Sequence, residues 1–96
     1  MSDIFAALAH PVRRKILNLL RKGAMSAGDL ADHFDLAKPT LSGHFAVLKA
    51  ADLVTGERKG TTILYRLNMS VLEEAMAALM SIAGRKTEEV SPGEET

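Results

Sequence analysis

Residues 37–53 read AKPTLSGHFAVLKAADL, and the reading of this stretch decides the fold. Leu41, Phe45, Leu48 and Asp52 fall close to one helical face, and the first three are apolar, which is the spacing of a helix held against a core along a narrow stripe. The opposite face carries Pro39, Thr40, Gly43, Val47 and Ala50, with Lys38, Ser42, His44 and Lys49 along its flanks. That surface is small, mildly polar and almost free of acid. A helix meant only for solvent normally carries Glu and Lys pairs, whereas one that enters a DNA groove needs short side chains, hydroxyls and positive charge. The stretch points to a DNA-reading helix.

Its neighbours on both sides fit that reading. Ser26 followed by Asp29 is a weaker relative of the capping box, and Leu30, Ala31 and Phe34 then predict a short amphipathic helix of two or three turns. Asp35-Leu36-Ala37-Lys38 is the only connection before Pro39 opens the next helix, which is helix-turn-helix spacing. Helical hairpins also occur in proteins that never touch DNA, so the following segment carries weight. Leu53 to Arg58 and Thr61 to Leu67 are β-prone and separated by Lys59-Gly60, with Ile63, Tyr65 and Leu67 alternating with Thr62, Leu64 and Arg66. This predicts a β-hairpin. Arg58 and Lys59 at its tip would lie along a DNA backbone; the same charges would also serve solubility alone.

The outer segments read as scaffold and interface. Ser2 or Asp3 can cap a first helix over Ile4, Phe5, Leu8 and Ala9; the chain breaks near His10, and Pro11 opens a second helix. Val12, Ile16, Leu17, Leu19 and Leu20 give that helix a wide apolar stripe, and Gly23 supplies its stop. Arg13, Arg14, Lys15, Arg21 and Lys22 cover the rest, either as a solvated face with local ion pairs or with one or two phosphate contacts. Asn68 or Ser70 caps the last helix, in which Val71, Leu72, Ala75, Met76, Leu79, Ile82 and Ala83 recur at intervals of three and four. Ala77, Ala78 and Met80 widen this surface beyond one stripe. The excess predicts a second subunit, with Phe5 and Leu8 joining the same interface; the alternative is a last helix well buried in its own protomer. Arg85 and Lys86 suit the helix end, and residues 87–96, TEEVSPGEET, read as a disordered acidic tail beyond a domain of residues 1–86.

Composition sets bounds. A chain of 96 residues makes one domain, small enough to gain from a partner subunit. Without cysteine it can form neither disulfides nor thiolate metal sites. No apolar run approaches the roughly 20 residues of a membrane span and no signal peptide opens the chain, so a soluble cytoplasmic protein is expected. The net charge of zero conceals two halves: residues 1–66 hold ten Lys and Arg against six Asp and Glu, and residues 67–96 hold two against six. The basic half contains the helix of residues 37–53, and its charge has the sign that phosphate contact requires.

The chain resembles the ArsR family of dimeric winged-helix transcriptional repressors, most closely its SdpR-like members. The resemblance rests on Phe5-x-x-Leu8-Ala9-His10-Pro11-x-Arg13-Arg14-x-Ile16-Leu17, on Leu30-Ala31-x-x-Phe34-x-Leu36-x-x-Pro39-Thr40-x-Ser42-x-His44-x-x-x-Leu48-x-x-Ala51-x-Leu53-Val54, and on Arg58-x-Gly60 with Tyr65-x-Leu67. It implies a mainly α fold with a β-hairpin, a winged helix-turn-helix of five helices plus a two-stranded wing. It also implies a homodimer paired through the first and last helices on a palindromic operator. Metal-sensing relatives carry a cysteine pair in the helix occupied here by Met25 to Phe34, or His and Asp ligands in the last helix, and this chain has neither. His10, His33 and His44 lie on three different elements, which predicts no metal site, and no cofactor is expected. Ala37 stands where relatives often carry a capping Ser or Thr.

The expected DNA contacts are Lys38, Pro39, Thr40, Ser42, Gly43, His44, Arg58, Lys59 and Thr61. Thr40 and Ser42 would read bases, Gly43 would permit close approach, and Lys38, Arg58, Lys59 and Thr61 would meet phosphates. His44 has two readings, a half-buried packing residue or a donor to a phosphate or base. The expected interface residues are Phe5, Leu8, Val71, Leu72, Met76, Leu79, Ile82 and Ala83. A winged-helix module that binds another protein is the alternative function. An enzyme is disfavoured, since no nucleophile and base, phosphate loop or metal cluster is spaced as a site.

Overall fold

Helices begin where the sequence supplies an acceptor for their first free N–H groups. In the computed structural model, which describes residues 3–84, α1 (Ile4–Leu8) starts at Asp3, whose carboxylate accepts from the Phe5 amide at 2.9 Å. His10 Nδ1 accepts from the Val12 amide at 3.1 Å and opens α2 (Pro11–Leu20). Ser26 Oγ accepts from the Asp29 amide at 3.0 Å and opens α3 (Ala27–Ala31), which is shorter than its apolar pattern suggested; Phe34 lies in the turn that follows. Lys38–Ala50 form α4, which starts at Ala37 without a side-chain cap, with Pro39 in its first turn. The expected cap of the last helix does not form: Asn68 precedes α5 (Met69–Ile82) without a side-chain bond, and Ser70 lies inside the first turn. Arg85, Lys86 and the acidic segment from Thr87 lie outside the described residues, as does Ser2.

The end of α4 sets the angle at which the chain enters the sheet. Asp52 is not on the helix face with Leu41, Phe45 and Leu48; it lies past the last helical residue, at φ 62°. The Asp52 amide donates to Lys49 O at 2.9 Å and the Leu53 amide to Leu48 O at 3.0 Å, the bond pair of a Schellman stop, with Leu48 and Leu53 both fully buried. A left-handed Asp is strained relative to Gly, and its carboxylate opposes the negative helix end. Asp52→Gly should therefore stabilise the fold by roughly 1 kcal/mol, read as a melting temperature several degrees higher in calorimetry.

Three strands, not two, make the wing sheet. Val54–Lys59 (β2) and Thr62–Leu67 (β3) pair antiparallel in the register Val54↔Leu67 to Lys59↔Thr62. The turn is therefore Gly60-Thr61 rather than Lys59-Gly60, with Gly60 at φ 63° as a two-residue hairpin loop requires. Met25 and Ser26, expected at the start of a helix, add a short strand on the far side of β3, opposite Tyr65 and Leu64. With this strand as β1 the sheet order is β1-β3-β2.

The core lies between α2, α3, α4 and the sheet, with Ile16, Leu30, Leu48 and Leu53 sealed within it and the Phe45 ring 4.7 Å from that of Tyr65. Burying such side chains stabilises by about 1.5–3 kcal/mol each before entropy is counted. The last helix is different. Val71 and Leu72 pack on the core and Ala75 is buried, but Met76, Leu79 and Ile82 are 55%, 50% and 82% exposed. Among the described residues no helix is long and apolar enough to cross a membrane.

Candidate nucleic-acid interface

The stripe Leu41, Phe45 and Leu48 turns the opposite face of α4 outward. Lys38, Pro39, Thr40, Ser42 and Gly43 are all exposed on its first two turns, and no carboxylate stands among them. A Cβ at Gly43 would meet nothing within 4 Å, so the missing side chain serves no packing need of the protein itself and leaves the helix surface low. Val47, one turn further on, is also exposed. At the wing, Arg58, Lys59 and Thr61 are exposed. Lys59 Nζ lies 3.9 Å from Glu57 Oε2, a solvent-facing pair too weak to remove the cation from use; among the described residues Arg58 has no ion-pair partner.

The three basic residues of α2 bond to backbone carbonyls rather than to neighbouring carboxylates, while Arg21 and Lys22 are exposed. Arg13 Nε donates to Ala7 O at 2.8 Å and Nη2 to Ala6 O at 3.0 Å, while Arg14 Nη1 donates to Leu8 O at 2.8 Å. These carbonyls lie at the end of α1, where a five-residue helix leaves Ala7 O and Leu8 O without amide donors, while Ala6 O also accepts from the Ala9 amide at 3.1 Å. Lys15 Nζ donates to His33 O at 2.8 Å and stands 4.7 Å from the centre of the Phe34 ring, tying α2 to the turn after α3. Three cations are thus spent on backbone carbonyls within the protein.

His44 is half-buried on the flank of α4. Arg13 Nη1 lies 3.1 Å from its Nδ1, and the His10 ring packs against it at 4.4 Å between centroids. Burial first, then the nearby His10 and Arg13, lower its pKa from the ordinary 6.5. Two of the three imidazoles, His10 and His44, meet where α2 and α4 come together, while His33 stays exposed elsewhere. Among the described residues no group of three or more His, Asp or Glu could hold a metal ion.

A short helix, a tight turn, a second helix with an acid-free outer face and a cationic hairpin now stand in one frame. Residues 8–57 match a family described as a helix-turn-helix domain. The chain is 41% identical over 85 residues to the transcriptional repressor SdpR of Bacillus subtilis, covering 88% of this chain and 94% of that protein. It belongs to the ArsR family of winged-helix transcriptional repressors. The arsenical resistance operon repressor of Staphylococcus xylosus is 40% identical over 73 residues, 76% of this chain and 70% of its own length. A crystal structure of a possible transcriptional regulator for arsenical resistance superposes with a TM-score of 0.79 at 33% identity, covering 85% of each chain. Within the family the alternative of a protein-binding module with vestigial DNA contact loses its support, and the function is that of a DNA-binding transcriptional regulator.

Proposed function

We propose that two copies of this chain pair through α1 and α5 and repress transcription from a palindromic operator, each placing the first two turns of α4 in a major groove. The observation that carries this reading is the exposed, carboxylate-free run of Lys38, Pro39, Thr40, Ser42 and Gly43. The methyl of Thr40 meets a thymine methyl and the Ser42 hydroxyl serves either base, while Gly43 lets the helix approach. Lys38, Arg58, Lys59 and Thr61 meet phosphates, and His44 donates from the helix flank. Phe5, Leu8, Val71, Leu72, Met76, Leu79, Ile82 and Ala83 form the dimer interface, supported by the exposure of Phe5, Met76, Leu79 and Ile82. A dyad then sets the half-sites about one helical turn, ~34 Å, apart. The protein acts in the cytoplasm as a regulator with no catalytic step.

Selection of bound duplexes from random DNA tests this: a palindrome is expected, and recovery of unrelated, asymmetric sequences would overturn it. On the selected duplex, Thr40→Ala or Ser42→Ala should cost roughly 1–3 kcal/mol while hardly changing binding to random DNA. Arg58→Ala should weaken both and reduce the slope of log affinity against log salt by about one unit. An Arg58→Ala protein with altered sequence preference and an unchanged salt slope would reverse the two roles.

A further inference from the structure

One cluster in the molecule joins a helix of the proposed dimer interface to the reading helix, and it is built around Arg13. Through Nε and Nη2 its guanidinium holds Ala7 O and Ala6 O at the end of α1, and through Nη1 it reaches His44 Nδ1 on α4, a residue 31 positions away. A guanidinium has N–H donors only and keeps its proton at every physiological pH. At this contact, therefore, Nδ1 of His44 is the acceptor and carries no hydrogen. A neutral imidazole has one N–H, so the proton sits on Nε2, and among the described residues no protein acceptor is bonded to it. The neighbouring His10 ring is itself oriented, because its Nδ1 accepts from the Val12 amide.

We infer that Arg13 is a positioning residue for DNA binding: its bond to Nδ1 fixes His44 as the neutral Nε2–H tautomer and so aims a single N–H donor at a phosphate oxygen of the DNA. The inference rests on the reading of α4 as the groove-binding helix. His44 lies two residues past Ser42, half-buried on the helix flank rather than on its outermost face, where backbone and not base edges border a helix in a groove. Anchoring Arg13 to two α1 carbonyls keeps its third donor from following His44 if the ring turns. The groups facing His44 are His10, at the cap of α2, and Arg13, within α2, while α1 contributes only carbonyls that Arg13 occupies. Protonation would place an Nδ1–H against a guanidinium and break the contact. Because folding lowers the His44 pKa below 6.5, the stability this arrangement contributes is fully present above 6.5 and is lost as pH falls from there through the folded pKa, where the contact itself breaks.

Ring-nitrogen NMR of the free protein at pH 7.5 reads the tautomer directly, and DNA binding is measured on the duplex recovered by selection from random DNA. The wild type should show His44 as Nε2–H, and Arg13→Met should show a mixture, with Arg13→Lys restoring part of the preference. His44→Gln, whose amide nitrogen reaches about as far as Nε2, should bind within about twofold of the wild type, and His44→Asn, which reaches only as far as Nδ1, should bind about fivefold or more weakly. Neither should change the salt slope, because a neutral donor displaces no counterion. The two His44 variants leave Arg13 in place, so they decide the matter even where Arg13→Met fails to fold. An Nδ1–H tautomer in the wild type, equal binding by the Gln and Asn variants, or a salt slope reduced by about one unit in His44→Asn would each overturn the assignment. A wild type with the expected tautomer that selects no DNA would instead overturn the functional reading, and the role assigned to Arg13 with it.

Discussion

Leu79→Glu is expected to turn a DNA-binding dimer into a folded monomer that no longer holds the selected palindrome. Leu79 is 50% exposed in the protomer, between Met76 and Ile82 on the part of α5 that leaves the core, so the substitution costs the isolated fold little. Across a twofold axis the same change appears twice in one interface. Each carboxylate would have to shed water against apolar neighbours, at several kcal/mol per ion, so the dimer dissociation constant should rise by about a hundredfold or more. A monomer contacts one half-site and loses the affinity that the second half-site adds. Sedimentation and gel-shift measurements on wild type and variant decide the point. A wild type that sediments as a monomer yet binds the palindrome fully would end the dimer proposal.

Leu48→Ala should have the largest effect on stability. The side chain is completely buried in α4, and it contacts the chain just where the Schellman stop directs Leu53 into the core. Truncation there removes transfer energy and leaves a cavity that the rigid turn cannot close, at about 2–5 kcal/mol. A domain of this size has roughly 5–15 kcal/mol in all, so the melting temperature should drop by roughly 10–30 °C, and DNA binding should disappear over the same temperature range as the fold. Val47→Ala is the matched control: one residue earlier and exposed, it should change stability by less than about 0.5 kcal/mol. A Leu48→Ala protein that melted within a few degrees of the wild type would show that the apolar stripe does not hold the helix in place.

The contrast between Leu48 and Val47 shows which kind of information was legible in the amino-acid order. Helical periodicity relates residues three and four apart, so the buried stripe of α4, its outward face and the Asp3 and Ser26 caps could be read from neighbours in the chain. Pairings that depend on a distant partner could not. Two residues, Met25 and Ser26, are too few to show a period of two, and they become a strand only because β3 offers them an open edge. The hairpin loop was displaced by one residue because register is set by the pairing of both strands and not by the position of the glycine alone. Likewise Asn68 and Ser70 carry the local signal of a cap at the start of α5, but that start is held by packing of Val71 and Leu72 on the core.

The candidate interface divides in the same way. Exposure of Lys38, Thr40, Ser42 and Gly43 followed from the stripe opposite them, since a helix with one buried face has its other face outside. The arrangement around His44 did not follow. Its sequence signal was present, in His10-Pro11-x-Arg13 and in Ser42-x-His44, but nothing local says that a guanidinium on α2 will meet a ring on α4. By itself, then, the sequence determined the family, the reading helix and the face it shows, because these rest on local periodicity and on residue types in fixed spacing. Only the tertiary structure decided that Arg13, Arg14 and Lys15 bind backbone carbonyls, that a third strand joins the wing, and that His10 and His44 share one cluster. Those contacts are made across elements, and unsatisfied carbonyls at the end of so short a helix draw the nearest donors that folding brings within reach.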